Sequence, residues 1–473
     1  MSIPRWVRQV SPPAWLGVIG MLLIGLTLLG TCFRPPPGGD PAPDNWALSA
    51  VTLLLCIGGL LYLWAVAIVL KHGGLRHRTL WWILGCALLM RLILLVTPPF
   101  LSTDIYRYVW DGRVQEAGIN PYRYVPADPA LASLRDPEIY PWINFADSET
   151  TPYPPVAEGL FRLVAATVPT LLGMKAAMVA LEAVAVGVLL LLLARAGLPL
   201  TYILIYAWHP VPLWELAGNG HVDAAAVAFI ALALLARGTD RPAWTGVALG
   251  CATLAKLWPV VLLPALWRRW DWKLPAALLA TLAVGYLPYL DVGAGVLGSL
   301  HDHIEGEGLI RGDGYYPLYL LSELVTLPRL ATAIYVGGGL AVLAFLALKT
   351  IRRERPPGEA GMPAVYGDCL LLATGLIVFL TPTHPWYFVW LVLFSCLVPR
   401  PSVLALTALS PLAYFSFSDA GENAELIMYG VFWACIGVAA WRRARSAGRP
   451  AFATVEPDEI GGLQPSLPPS SSG

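Results

Sequence analysis

The sequence is short of charge. Only 13% of its 473 residues are Asp, Glu, Lys or Arg, whereas 57% are hydrophobic and the mean hydropathy is +0.63. A water-soluble domain carries about a quarter charged residues, so the shortage excludes an ordinary soluble fold and makes lipid the solvent for most of the chain. Net charge is missing too. Thirty-one basic side chains balance 31 acidic ones, which leaves no overall basic field for a nucleic acid and no acidic tail. Paired cysteines are also lacking: Cys32, Cys56, Cys86, Cys251, Cys369, Cys396 and Cys435 stand singly, nearly all within apolar runs. They read as packing residues, with no disulfide framework or metal site. No Gly-rich strand-to-helix turn of the nucleotide-cradling kind is visible, and no convincing internal repeat. The apolar run 15–29 follows Arg5 and Arg8 but ends without a small-x-small cleavage site, so it reads as a membrane anchor.

What the chain has in abundance is long apolar runs. A spanning helix needs about 20 mostly apolar residues, and cytoplasmic flanks collect Lys and Arg. Arg5 and Arg8 precede the first run, and Lys71, Arg76 and Arg78 follow the second, 46–70, so the Pro-rich hairpin 34–43 falls outside. The run 80–96 then delivers a large outer loop, 98–155. The run 168–194 returns to Arg195, and 202–216 and 222–236 flank an outer turn and close at Arg237 and Arg241. The stretch 244–267 lies between two inner basic clusters, the second being Arg268, Arg269 and Lys273, and reads as a hairpin broken at 256–259. A second outer loop, 291–317, follows the run 274–290, and the next run ends at Lys349, Arg352, Arg353 and Arg355. Four more runs place 382–386 and 418–425 outside, Arg400 and 442–449 inside.

The expectation is an all-α polytopic protein of the cell (cytoplasmic) membrane, a single domain over residues 1–450 with both termini cytoplasmic. It would hold roughly 12–14 transmembrane helices, with extracytoplasmic loops bearing short helices. The Pro/Ser/Gly-rich segment 451–473 lacks apolar periodicity and is expected to be a disordered cytoplasmic tail.

The first outer loop carries the densest chemistry. Ser102-Thr103-Asp104 is an N-cap-type cluster, and no breaker follows until Gly112, so the spacing predicts a short helix. At 3.6 residues per turn Asp104, Tyr108, Asp111 and Gln115 share one face, which needs water, a ligand or partners. Gly118-Ile119-Asn120-Pro121-Tyr122 reads as a turn, and Tyr153-Pro154-Pro155 leads into a helix carrying Glu158 and Arg162. A structural account is open for each candidate. Asp104 would cap the helix, and Asp111 would pair with Arg107 or Arg113. Lys256 would snorkel to an interface, and His384 would join an aromatic belt. Arg311 would order a Gly-rich loop, and Asp223 would satisfy backbone N–H groups. Glu182 and Asp368 fall inside apolar runs and must be paired or near a polar cavity.

The loop resembles the first outer loop of GT-C superfamily integral membrane glycosyltransferases. The resemblance is closest to bacterial polyprenol-phosphate-mannose-dependent mannosyltransferases and extends more distantly to the catalytic mannosyltransferase of GPI-anchor synthesis. It rests on Asp104, Tyr108, Gly112, residues 118–122, 151–155, 218–223 and 384–387, in order along most of the chain. Where the eukaryotic relatives carry Asp-x-Asp this chain has Tyr106 as the second position, and where the bacterial ones often have Gln it has Asp111.

The resemblance implies transfer of a hexose, mannose by likeness alone, from a polyprenyl-phosphate sugar to a glycan or glycolipid hydroxyl at the outer face. A carboxylate must then take the hydroxyl's proton: Asp104 as base, with Asp111 as orienting partner or alternate base. Cations or a divalent metal should face the departing phosphate. The substrate-binding candidates are Arg107, Tyr108, Asn120, Tyr122, Tyr153, His221, Asp223, Lys256, Arg311, His384 and Trp386. Membrane lipids are the other expected partner, and nucleic acid is not one. The rival reading is a transporter or flippase of lipid-linked sugars, which predicts broken helices and charges along a path; a non-catalytic scaffold would leave the Asp104 face without a purpose.

Overall fold

The computed structural model describes residues 11–33, 45–356, 358–417 and 424–447. Arg5, Arg8, the hairpin 34–43, most of the 418–425 turn, Arg449 and the segment 451–473 lie outside the described residues.

Among the described residues all regular structure is helical. Numbering α-helices of seven residues or more, the order is α1 (Pro12–Gly30), α2 (Asn45–Lys71), α3 (His77–Leu95), α4 (Asp104–Glu116), α5 (Pro155–Ala165), α6 (Leu171–Arg195), α7 (Asp223–Gly238) and α8 (Pro242–Ala255). Then come α9 (Lys273–Tyr286), α10 (Leu300–Gly306), α11 (Tyr316–Ser322), α12 (Arg329–Arg352), α13 (Met362–Leu380), α14 (Val389–Leu397), α15 (Pro401–Leu409) and α16 (Ala424–Ala447). The stops follow local chemistry. Pro98 and Pro99 come just after α3, where a helix cannot continue. Proline also opens α5, α8 and α15, where its missing N–H costs nothing.

Among the described residues eight helices are long and apolar enough to cross a membrane, and the bent pair Pro210–Gly218 and Asp223–Gly238, turned by 120°, counts as a ninth if taken as one span. Three shorter apolar helices, Pro242–Ala255, Pro385–Leu397 and Pro401–Phe417, complete the apolar set. The roughly fourteen crossings expected from the sequence become fewer full-length spans because proline and turn residues cut several apolar runs into short helices. The break expected at 256–259 is present: α8 ends at Ala255, Lys256 is extended, and a 3-10 turn, Trp258–Leu262, follows. The segment 291–317, expected as a loop bearing short helices, does carry them. It holds a 3-10 stretch, Leu287–Leu297, with α10 and the start of α11.

Two acids inside apolar helices are paired. Glu182 on α6 accepts from Arg91 Nε and Nη2 of α3 at 2.8 and 2.6 Å, and Arg91 also donates to Ala207 O. Asp368 on α13 accepts from Arg353 and Arg355. Each salt bridge answers the cost of burying a charge away from water. Replacing Glu182 by Leu strands a buried guanidinium and is expected to lower stability by about 3–5 kcal/mol, whereas the double change Arg91→Met with Glu182→Leu should recover much of it. Thermal unfolding of purified protein in detergent checks both.

Candidate active site

The path to the site begins where α3 stops. Its terminal carbonyls meet the ammonium of Lys175 on α6, a buried side chain that donates to Leu94 O at 2.6 Å and to Thr97 O. A cation at a helix C-terminus is the favourable sign for the dipole there. The next turn of chain is held by Asn219, whose Oδ1 accepts from Phe100 N and Leu101 N at 3.2 and 3.0 Å. Ser102 Oγ accepts from Asp104 N at 3.2 Å, and α4 starts at Asp104.

The face of α4 that carries Asp104, Tyr108, Asp111 and Gln115 is answered mostly by protein. Gly112 lets α5 approach so closely that a Cβ there would sit 2.4 Å from Phe161 O. Tyr108 stacks on Phe161 with ring centroids 4.5 Å apart and meets the edge of Tyr153. Asp111 is clasped by Arg107 at 2.9 Å, one turn away, and Gln115 Nε2 donates to Glu158 Oε2 at 2.7 Å. Thr151 Oγ1 donates to the other Glu158 oxygen at 2.6 Å. One guanidinium thus faces two buried carboxyls. Burial, reinforced by Asp111, pushes Glu158 well above the usual carboxylate range, so Glu158 holds the proton and Asp111 the charge.

Asp104 alone of that face opens onto a cavity of about 1160 Å³, bordered also by Arg107, Tyr153, Lys256, Arg311, His384 and Trp386. Glu307, Tyr387 and Tyr414 share the polar side, and Leu300, Ile304, Leu376, Ile377, Leu380 and Trp390 form an apolar wall. The Asp104 side chain is 24% exposed. Burial raises its pKa above the ordinary carboxylate value; Lys256 opposes, Asp223 reinforces, and hydrogen bonds from Ser102 and Tyr153 oppose.

Several sequence candidates do not line the cavity. Asp111, read as orienting partner or alternate base, does not border the cavity; its 2% exposure and its salt bridge with Arg107 explain it. Tyr108 is fully buried in the aromatic packing just described. Asn120 Nδ2 donates to Tyr289 O at 3.1 Å and to Asp291, and Tyr122 OH donates to Tyr153 O at 2.6 Å. Those two residues pin the first outer loop to the 287–297 segment and do not line the cavity. His221 is fully buried behind Asp104, with Nδ1 3.7 Å from Asp104 Oδ2. Asp223 sits in the first turn of α7 and pairs with Lys256 Nζ at 3.2 Å, making a salt bridge instead of a backbone cap.

The remaining candidates border the cavity. Lys256 is 15% exposed, paired to Asp223, and lies 5.2 Å over the Tyr387 ring, which replaces the snorkelling account. His384 stacks between Trp386, at 4.2 Å, and Phe417, at 5.1 Å, with Nε2 3.8 Å from Glu307. Arg311 is largely exposed, 3.6 Å from Asp313. Among the described residues no group of three or more His, Cys, Asp or Glu could hold a metal ion.

Sequence reading did not name Glu215, Glu307 or Tyr414, and it named Glu158 and the 218–223 turn without a role for Glu158 or Asn219. The interrupted helix supplies Glu215 and Asn219. Its segment Leu213–Gly218 is a π-helix, a form that gathers at functional sites, and Gly220 adopts φ +74° where a Cβ would meet Ile105 at 2.5 Å. Glu215, between Trp214 and Leu216 in an apolar run, was the available signal.

The chain matches the family described as alpha-(1->6)-mannopyranosyltransferase, N-terminal domain, over residues 14–271. Alpha-(1->6)-mannopyranosyltransferase B of Corynebacterium glutamicum is 26% identical over 293 residues, 54% of this chain and 48% of that protein. The chain therefore spans about half the length of that curated relative. No solved structure matches it. The family match includes Asp104, His221 and Lys256 and stops before Arg311 and His384.

The two acids of α4 should separate in a stability measurement. Asp111→Asn is expected to cost at least about 1 kcal/mol, limited because Glu158 can ionise in its place. Asp104→Asn should leave stability unchanged or raised at neutral pH, since the folded chain holds a proton on Asp104 more tightly than the unfolded one. That contribution to stability is fully present at acid pH and is lost as pH rises through the raised pKa. Melting curves of both variants against pH provide the check.

Proposed function

Because the chain belongs to the alpha-(1->6)-mannopyranosyltransferase family over residues 14–271, we propose that it transfers a hexose, mannose in the first instance, from a polyprenyl-phosphate sugar to a glycan or glycolipid hydroxyl at the extracytoplasmic face. The observation that carries this reading is Asp104, a carboxylate open to a cavity that also holds Lys256, Arg311 and His384 and has a long apolar wall. The acceptor hydroxyl gives its proton to Asp104 as its oxygen attacks the anomeric carbon. The bond to the lipid phosphate breaks, and the phosphate leaves with the electron pair. Lys256 and Arg311 meet the charge that develops on it. The apolar wall suits the first units of the lipid chain, whose remainder stays in the bilayer. Binding donor and base side by side supplies the orientation on which such a reaction depends.

The placement outside rests on chain direction. Asp104 follows the C-terminal end of α3 and Lys256 that of α8, and the cavity touches the last turns of α13. Arg76, Arg241, and Arg353 with Arg355 precede those same helices, and such basic flanks face the cytoplasm. The 120° bend between Pro210–Gly218 and Asp223–Gly238 favours the second reading, a flippase built on broken helices. Against it, the polar groups at that break are buried and engaged with one another instead of lining a path.

Purified protein given a polyprenyl-phosphate mannose and a mannoside acceptor should make a mannosyl bond. Asp104→Asn should still bind the donor but lose turnover by at least about a hundredfold, the usual worth of a general base. The wild-type rate should fall on acidification, with a midpoint above the ordinary carboxylate range because burial raises Asp104. Wild-type turnover in Asp104→Asn removes Asp104 as base. Movement of the donor across liposomes without transfer establishes the flippase instead.

A further inference from the structure

Behind Asp104 lies a second layer that the reaction as written leaves unused. His221 is fully buried, and neither ring nitrogen has a hydrogen-bond partner in the resting structure. Its Nδ1 is 3.7 Å from Asp104 Oδ2 and its Nε2 is 3.4 Å from Glu215 Oε2. Glu215 is itself fixed: Tyr414 OH donates to Oε1 at 2.6 Å, and Asn219 Nδ2 donates to Oε2 at 2.9 Å. The Trp386 ring stacks on the imidazole at 4.2 Å and holds its plane. The charged and titratable groups around His221 come from each element packed there: Asp104 from α4, Glu215 from the π-helix, Asp223 from α7, Lys256 after α8 and His384 before α14.

We infer that His221 is a positioning residue for Asp104, its Nε2–H turned to Glu215 so that its Nδ1 lone pair accepts the O–H of Asp104 once Asp104 has taken the acceptor's proton. The inference rests on the transfer reading given above. The tautomer follows from the surroundings: Glu215 already accepts two hydrogen bonds and offers only acceptor oxygens to Nε2, so the ring proton belongs there. That leaves Nδ1 and the ionised Asp104 as two acceptors facing each other, which accounts for a separation too long for a hydrogen bond. A single proton on Asp104 converts this gap into an O–H···N hydrogen bond, and apo catalytic contacts commonly tighten only when reaction supplies the missing partner. The proton balance is complete. The acceptor O–H breaks, the new O–H forms on Asp104 and points at Nδ1, away from the sugar, and it later leaves to water in the cavity. His221 thereby favours protonated Asp104, which makes Asp104 a stronger base.

The test compares His221→Gln, which keeps a polar group near Glu215 but none at the Nδ1 position, with His221→Asn, whose Oδ1 reproduces the Nδ1 acceptor. In mannosyl transfer His221→Gln is expected to lower kcat about tenfold, a fraction of a general base's worth, with donor KM unchanged and the acidic limb of the pH profile moved to lower pH. His221→Asn should recover part of both losses. Unchanged kcat and limb in His221→Gln overturn the inference, and so does a raised donor KM with an unmoved limb, which makes His221 a structural or substrate-holding group. If His221→Gln does not fold, Glu215→Gln should move the limb in the same direction, and an unmoved limb is again fatal. A wild-type chain that transfers nothing overturns the functional reading and leaves this inference still decidable. Infrared titration of the Asp104 carboxyl band, assigned by its loss in Asp104→Asn, should show a lower midpoint in His221→Gln, and an unmoved midpoint refutes the role of His221.

Discussion

A helix interrupted inside an apolar bundle must find partners for every backbone group the interruption releases, because lipid offers none. The break between Gly218 and Asp223 meets part of that demand from within, Asn219 N donating to Trp214 O and His221 N to Glu215 O, while the Asn219 side chain takes the N–H groups of Phe100 and Leu101 through Oδ1 and reaches Glu215 through Nδ2. One amide thus satisfies backbone across the gap between two distant stretches of sequence, and the same contact fixes the chain just before Asp104. The positive φ of Gly220 makes the reversal possible. His221 and Asp223 are set by that reversal, and Lys256 by its salt bridge to Asp223. The position of Asp104 relative to its neighbours therefore derives from how the bundle closes one broken helix.

The same economy appears along α4, where two aspartates one face apart meet opposite fates. Asp111 lies where Gly112 lets α5 come closest. Its carboxylate is desolvated, and Arg107 on the same helix, with hydrogen bonds from Thr151 and Glu158, opposes the cost of its charge. Asp104 lies at the helix start, beyond the reach of α5, so part of its side chain faces the cavity. A helical pattern places both on one face but says nothing about where a second helix covers that face. Whether an acid of this face is covered or open to the cavity is set here by packing along the helix axis.

That is also why the sequence was legible to the depth it was. Apolar runs and basic flanks located α1, α2, α3 and α6 within a few residues, since hydropathy and charge are properties of the chain alone. The break at Lys256 was legible for the same reason: a lysine followed by Trp258-Pro259 cannot sit in a continuous apolar helix. The residues whose placement was not legible were those whose partners lie far away in sequence. Asn120 and Tyr122 resemble ligand groups in a polar loop, yet their partners, Tyr289, Asp291 and Tyr153, turn them into fasteners. Glu215 went unremarked because an acid in an apolar run has a meaning only once Tyr414, 199 residues further on, is known to face it.

Saturation of partners separates the cations of the two ends. At the end carrying the basic flanks, Arg355 meets Asp368, Ala265 O and Thr350 O, and Arg237 donates to Leu266 O. Arg355 thus has every nitrogen of its guanidinium engaged, by two carbonyls and a buried acid, where its charge is compensated. At the cavity, Lys256 has one carboxylate and one aromatic face, which leaves donors of its ammonium to spare. Arg311 touches only the edge of an exposed aspartate at 3.6 Å. A guanidinium so loosely tied gives up little when a phosphate arrives, and a bidentate phosphate contact is stronger than the pair it replaces. Beside Asp104, then, Lys256 and Arg311 keep donors that an anion entering the cavity can engage.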